Sequence, residues 1–177
     1  MTLLPPELSR PVALDRIRDT EFAMHIEATA DECNAIAGRL MEPAVESFVC
    51  DFVLVRPSAS SRAGEIRAEG RVQARIRREC VVSLEVFTVE IDELFRVNFV
   101  PEGNETEDAD PESDDEISYT GAALDLGEAA VEQLALSLDP YPRKPGAELA
   151  SELGGEPSGP FAALSKLARS AKADGEG

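Results

Sequence analysis

The side chains that could carry out catalysis are few, and they stand apart along the chain. The only histidine, His25, lies alone in a short strand-like stretch, and no serine or cysteine accompanies it in a nucleophile–base pattern. The three cysteines, Cys33, Cys50 and Cys80, form no CxxC pair, and the chain contains no P-loop or dinucleotide-binding fingerprint. A lone histidine in a strand is usually a surface or edge residue. The sequence therefore predicts no enzyme active site, no catalytic residue and no cofactor.

Arginines are concentrated in one alternating stretch between positions 62 and 78, where six arginines accompany two glutamates. The candidate partner- or RNA-binding residues are Arg67, Arg71, Arg75 and Arg77, which we call the arginine row, and the adjacent Arg78. Such a row could follow RNA phosphates. Alternatively, its members pair across the sheet with Glu85, Glu90 and Asp92 and form an ion-paired, solvent-exposed face. No aromatic residue stands among these arginines, so base stacking is poorly supported.

The acidic run, residues 102–116, contains nine acidic residues and no basic one, which is half of the net charge of -18. One interpretation is a solvated loop that keeps the protein soluble. A second is a mimic of RNA that shields a basic protein and speeds its encounter. A third is a Mg²⁺ site for an RNA-processing enzyme at residues 107–116. A flexible acidic loop lacks the fixed geometry that metal catalysis needs, which disfavours the third interpretation.

The composition limits the classes of protein to which the chain can belong. Its 177 residues suffice for one domain with appendages, and 43% hydrophobic residues suffice for a core. A pI near 4.3 disfavours contact with phosphates and favours a basic partner. We find no signal-peptide pattern, no membrane-spanning apolar run and no disulfide framework. We therefore expect a soluble cytoplasmic protein without a membrane partner or a small-molecule substrate.

Apolar residues at a period of two predict a strand-rich domain. The expected strands are Pro11–Leu14 at a sheet edge, Phe22–Ala28, Val45–Val55, Ile66–Ile76 and Val81–Val100. In the last of these, Glu93 interrupts an otherwise apolar face, so we expect a β-bulge or a break near it.

Two helices are indicated by their capping signals. Thr29 with Glu32 three residues later is a capping box that opens a helix over about Ala30–Leu40. Asp125 opens the second helix, which carries apolar residues at helical spacing up to Leu138 and ends before Pro140.

These elements predict an α+β domain over residues 1–140, with a mostly antiparallel, strongly curved or barrel-like sheet and two packed helices. Residues 102–118 should form an acidic disordered loop within it, and residues 141–159 a Pro/Gly-rich linker. Residues 160–177 should form a short amphipathic C-terminal helix or tail. A helix this short needs packing, which leaves docking on its own domain or on a partner.

The order of several sequence blocks resembles the YceD family. These blocks are Cys80–Glu85, Phe95–Pro101, the acidic run, Leu124–Leu136, Asp139–Pro142 and Pro160–Leu164. The resemblance covers roughly residues 8–168 and is strongest over 70–145. The stretch Pro140–Pro145 is similar to the alphaproteobacterial branch of the family.

The resemblance implies a non-enzymatic role in the accumulation or processing of large-subunit ribosomal RNA. The partner would be a basic large-subunit ribosomal protein, precursor ribosomal RNA, or both. The positions that carry the family motif are Cys80, Leu84, Phe95, Phe99, Pro101, Asp125, Leu126, Glu128, Glu132, Leu134, Leu136, Pro140, Pro142 and Phe161.

One departure from the family pattern concerns zinc. Many members carry a CxxC pair where this chain has Arg77-Arg-Glu-Cys80, and further cysteines where it has Pro142–Pro145. A four-thiolate zinc site cannot be built from Cys80 alone. We therefore expect no zinc site, and Cys80 is interpreted either as a buried small residue or as a redox-sensitive thiol.

Overall fold

The computed structural model describes residues 6–57, 62–105 and 114–148. Within these ranges lie seven strands, two α-helices and one 3₁₀ turn. In chain order they are β1 (Pro11–Ala13), the 3₁₀ turn (Leu14–Arg16), β2 (Phe22–Glu27), α1 (Ala30–Leu40), β3 (Ala44–Val55), β4 (Ile66–Glu79), β5 (Val86–Pro101), β6 (Asp115–Tyr119), β7 (Ala123–Asp125) and α2 (Leu126–Ser137). None of the described helices is long and apolar enough to cross a membrane.

The main sheet has five strands in the order β2-β3-β4-β5-β6, and β1 pairs with β7 in a separate two-stranded sheet. Strands β2 to β5 are antiparallel, while β6 runs parallel to β5. The predicted α+β class, the mostly antiparallel sheet and the two helices are thus confirmed.

The predicted barrel-like sheet is wrong, because the sheet is open. A barrel requires its two edge strands to pair, and β2 and β6 do not pair with each other. Strand β6 pairs with only the last five residues of β5. The helices bury the sheet instead: α1 packs on β3, and α2 packs on β4 and β5. Apolar residues at a period of two show that one face of the sheet is buried. They do not show whether that face is buried inside a closed barrel or beneath helices that pack on an open sheet.

Alternating side chains on the long strands form the core. On β3, Phe48, Cys50, Phe52 and Leu54 point inward and are at most 1% exposed. On β4 the inward residues are Ile66, Ala68, Val72, Ala74 and Ile76. The opposite face of β4 carries the arginine row and is exposed. This arrangement follows from strand geometry, in which successive side chains point to opposite faces.

The first helix begins at the predicted capping box. The Thr29 hydroxyl accepts from the Glu32 N–H at 3.3 Å, and Glu32 accepts from the Thr29 N–H at 2.8 Å. Arg10 donates to both Glu32 carboxylate oxygens, at 2.8 and 3.0 Å. The hydrogen bonds from Arg10 and Thr29 lower the pKa of Glu32 to about 2. The cap therefore also joins the segment around β1 to α1.

Two further expectations differ from the structure. The ladder between β4 and β5 runs without a shift from Ile66↔Phe99 to Glu79↔Val86, so the break expected at Glu93 is wrong. Glu93 lines a surface groove beside the end of α2, where its carboxylate reaches solvent without distorting the strand. The register shift lies in β3 instead, between Val45 and Ser47.

The prediction of an acidic loop over residues 102–118 is wrong at the C-terminal end of that range. Residues from Asp115 onward form β6, in which Ile117 pairs with Phe99. Residues 106–113 lie outside the described residues. The same is true of 149–159 in the predicted linker and of the predicted C-terminal helix with Phe161.

Candidate functional site

The arginine row lies along the solvent face of β4, as the alternation predicts. Arg67, Arg71, Arg75 and Arg77 are all exposed. Arg78 is different, because its parity turns it to the inner face, where its side chain is only 7% exposed. Arg78 is thus separated from the four arginines with which the sequence grouped it.

Acidic neighbours hold most of the arginine row in ion pairs. Arg71 donates to both carboxylate oxygens of Asp92 at 2.6 Å, and this lowers the pKa of Asp92. Arg75 contacts Glu90 at 3.1 Å and Glu46 at 2.8 Å. A phosphate would therefore have to compete with carboxylates that already occupy these guanidinium groups.

The remaining members of the arginine row differ in their surroundings. Arg67 contacts Glu65 at 3.2 Å. Arg77 forms no ion pair with any residue in the described ranges. Glu85, expected to pair with the row, instead contacts Lys144 at 2.8 Å. Cross-strand pairing is therefore present at Arg71 and Arg75 but absent at Arg77.

Arg78 forms a buried contact between the sheet and the two segments that pack on its end. Its guanidinium lies 2.6 Å from a carboxylate oxygen of Glu42, whose side chain is 11% exposed. It also donates to the backbone carbonyl of Asp139 at 2.8 Å. The loop after α1 and the segment after α2 are thus both fixed to β4 by one side chain.

Cys80 is fully buried in the turn between β4 and β5, where backbone N–H groups surround its sulfur. Val82 and Ser83 donate to Sγ at 3.4 Å, and Lys144 donates at 3.3 Å. The Ser83 hydroxyl and these N–H groups lower the pKa of the Cys80 thiol to about 7. The arrangement stabilises a thiolate inside the protein.

The segment 142–144 closes this turn. The Val81 N–H donates to the Pro142 carbonyl at 2.9 Å, and Lys144 adds its ion pair with Glu85. The positions where the family resemblance places further cysteines therefore lie beside Cys80. The other two cysteines, Cys33 and Cys50, are buried in α1 and β3. The residues at this turn do not fit a thiolate zinc site, since Cys80 is its single thiol, and no cluster of three metal ligands occurs in the described ranges.

The unusual pKa of Cys80 leads to a prediction about its titration. Thiolate absorbance at 240 nm should rise with a midpoint near pH 7 in the native protein, and Cys80→Ser should abolish this step. The other thiols should not contribute near pH 7, because burial raises the pKa of Cys50 to about 12 and also raises that of Cys33.

The same shift makes stability depend on pH. An unfolded thiol has a pKa of about 8.5, above the folded value, so the native protein should gain stability over Cys80→Ser as pH rises from 7 toward 8.5. That gain should be lost as pH falls below 7. A native protein without a thiolate step near pH 7, or a step near pH 7 that persists in Cys80→Ser, would contradict both expectations.

The family-motif positions within the described residues are distributed over three places. Cys80, Leu84, Pro140 and Pro142 lie at or near the turn after β4 and in the segment after α2. Leu126 and Leu134 are buried on α2, Leu136 is exposed on α2, and Phe95 contacts Phe52 edge-to-face at 5.3 Å between ring centroids. Phe99, Asp125, Glu128 and Glu132 line one groove, and Pro101 ends β5 nearby.

Asp125 fixes the start of α2. Its carboxylate accepts from the N–H groups of Gly127 at 3.0 Å and Glu128 at 3.3 Å, and from the N–H of Arg10 at 2.7 Å. Burial opposes its ionisation, but these bonds and one from the Ser9 hydroxyl keep its pKa below the usual value. Asp125 therefore acts as the helix cap and holds the N-terminal segment against α2.

A groove of about 240 Å³ runs between β6 and the first half of α2, and we call it the acidic groove. Its apolar lining comes from Phe99, Ile117, Leu124 and Ala129. Glu128 and Glu132 add carboxylates, and no basic residue lines it among the described residues. The family motif includes Phe99, Glu128 and Glu132, but the sequence could not show that these three residues lie around one groove. Ile117 was missed because it follows the acidic run directly.

A larger cavity of about 510 Å³ lies beside the 3₁₀ turn. Its charged lining consists of Asp15 and Asp19 with Arg18 and Arg56, so the charges offset one another. His25, which lines neither cavity, lies on the edge strand β2 and contacts Asp51 at 2.7 Å. Neither feature assembles a catalytic group.

Comparison with known proteins identifies one family. The family model described as "Large ribosomal RNA subunit accumulation protein YceD" matches residues 68–168. Its match includes three members of the arginine row (Arg71, Arg75 and Arg77), the Cys80 turn, β5 to β7 and α2. No curated protein and no solved structure matches the chain.

Proposed function

The chain belongs to the YceD family of large ribosomal RNA subunit accumulation proteins, and from this premise we propose that it is a non-enzymatic cytoplasmic factor for biogenesis of the large ribosomal subunit. It supports accumulation or processing of large-subunit ribosomal RNA. The observation that carries the proposal is the family match, which spans more than half of the chain.

The partner we propose is a basic ribosomal protein of the large subunit. The net charge of -18 attracts basic proteins and repels phosphates. Two members of the arginine row are already held by acids of the neighbouring strands, which weakens the case for direct RNA contact. The acidic groove offers exposed carboxylate beside apolar surface, which suits a basic protein segment.

Direct RNA binding by the arginine row is a second candidate. It is favoured by Arg77, which is exposed and forms no ion pair in the described ranges. A role in Mg²⁺-dependent RNA cleavage is a third, weaker candidate, because Glu116 of the acidic run already pairs with Arg62 at 2.6 Å and no cluster of three metal ligands occurs in the described ranges.

The test of the protein-partner proposal is purification of the tagged protein from cells at low salt after brief crosslinking, with identification of the crosslinked components. We expect large-subunit ribosomal proteins crosslinked directly to this chain. A preparation that contains no large-subunit component would contradict the proposal. Labelled precursor RNA incubated with the purified protein and Mg²⁺ would reveal cleavage if the third candidate were correct.

A triple variant separates the two binding modes. Replacing Arg71, Arg75 and Arg77 by Gln should leave association with large-subunit components unchanged if a protein partner dominates. If the arginine row binds RNA, the variant should bind RNA more weakly and with a shallower salt dependence, by about 0.7–0.9 in log–log slope for each lost phosphate contact. A melting curve comparable to that of the native protein is the control for folding.

A further inference from the structure

We infer that the acidic groove is the docking site for an extended, basic segment of the protein partner. This inference rests on the proposed function and specifies where the partner binds. It is supported by the edge of the sheet, by the carboxylates along the groove and by the charge of the chain.

The groove runs along a free strand edge. Strand β6 pairs with β5 on one side, and no strand pairs with its other side within the described residues. Four consecutive residues, Ile117 to Thr120, line the groove, so it follows the edge of the strand rather than one of its faces. An extended segment can therefore add its backbone hydrogen bonds to β6, as in recognition by strand addition.

The groove also provides apolar contacts for such a segment. Phe99 and Leu124 are 2% and 1% exposed and form part of the core, while Ile117 and Tyr119 are half-buried. Alternate side chains of an added strand point to one side. Small or medium apolar side chains at alternate positions would thus pack against Ile117 and its neighbours.

The carboxylates of α2 select a basic occupant. Glu132 is exposed and forms no ion pair within the described residues. One oxygen of Glu128 contacts Arg39 at 2.7 Å, and the other is buried without a hydrogen-bond partner. Because one Glu128 oxygen is already paired and the other is inaccessible, a lysine or arginine of the occupant would pair with the exposed carboxylate of Glu132.

The net charge of the chain disfavours two alternative occupants of the acidic groove, a second copy of the chain and RNA. A second copy of this chain would bring another charge of -18 to the same surface, and RNA would bring phosphates to an acidic groove. The chain's own segment with Lys166, Arg169 and Lys172 has the right sign, so the experiment includes it as an alternative.

The experiment measures binding of the full-length protein to synthetic peptides. The probes are overlapping peptides of about 15 residues, several times the length of a short strand, that cover the basic large-subunit ribosomal proteins of the source organism. We compare the native protein with Glu132→Lys and with Glu21→Lys. Glu21 is exposed and precedes β2 at the opposite edge of the sheet, so it provides the same change of charge away from the groove.

We expect at least one peptide with alternating basic and apolar residues to bind. Glu132→Lys should weaken its affinity about tenfold or more, whereas Glu21→Lys should change it by less than about twofold. Amide resonances of Ile117–Thr120 should shift in the native protein on addition of the peptide. Equal weakening by both variants, or binding by none of the peptides, would overturn the inference.

Two further outcomes would assign the groove to another occupant and also overturn the inference. One is a full-length variant with Lys166, Arg169 and Lys172 replaced by Gln in which the Ile117–Thr120 resonances shift without peptide while the peptides bind neither protein, which indicates that the chain's own segment occupies the groove. The other is a dimeric mass that Glu132→Lys converts to a monomeric one. If the native chain still crosslinks to large-subunit proteins in either case, the proposed function stands and only the location of the site is wrong.

Discussion

Replacing Arg78 by Met should lower the free energy of unfolding by about 3–5 kcal/mol, because it leaves a carboxylate buried without its partner. The Glu42 carboxylate lies 2.6 Å from the Arg78 guanidinium, and both side chains are almost inaccessible to solvent. The variant also loses the hydrogen bond to the Asp139 carbonyl. Chemical denaturation of the two proteins measures the difference.

The neighbouring residue provides the matched control. Arg77 has the same side chain one position earlier, but it is exposed and forms no ion pair in the described ranges. Arg77→Met should therefore change the free energy of unfolding by no more than about 0.5 kcal/mol. Comparable losses in the two variants would contradict the placement of Arg78 inside and Arg77 outside.

The second large effect is expected at Gly70, in the middle of β4. A Cβ atom at this position would lie 2.6 Å from the backbone carbonyl oxygen of Asp51 and still closer to the ring of Phe95. The carbonyl belongs to the sheet and cannot move freely, and Phe95 is held against Phe52. Gly70→Val should therefore destabilise the protein by about 2–3 kcal/mol, despite the better strand propensity of valine.

Gly38 serves as the control for this substitution. It lies within α1, and a Cβ atom there would meet nothing within 4 Å. Gly38→Ala should stabilise the protein by about 0.5–1 kcal/mol, since alanine restricts the unfolded chain and favours helix. Urea denaturation of both variants tests the pair. A Gly70→Val protein as stable as the native one would show that β3 and β5 do not approach Gly70 as described.

The local elements were largely predictable from sequence because their signals are local. The capping box at Thr29 and Glu32 and the capping carboxylate of Asp125 mark the starts of both helices. Alternation correctly assigned the inner faces of β3 and β4. The same alternation places Arg78 inside with the core residues, because Arg78 has the parity of Ile76.

The open sheet and the acidic groove could not be predicted from sequence, because both depend on how elements distant along the chain approach one another. Alternation cannot show whether β2 and β6 meet, so the open sheet was mistaken for a barrel-like one. The acidic groove depends on β6 lying beside α2, and no spacing in the sequence encodes that approach. Ile117 and Tyr119 did carry an alternating strand signal, but the preceding acids obscured it.

Depletion of this protein in the source organism, followed by quantification of ribosomal RNA, tests the central claim most directly. We predict that the ratio of large-subunit to small-subunit ribosomal RNA falls on depletion. The native chain and the Glu21→Lys variant, which is changed away from every candidate site, should both restore it. An unchanged ratio during depletion, with the protein verified as absent, would contradict the assignment of this chain to large-subunit RNA accumulation.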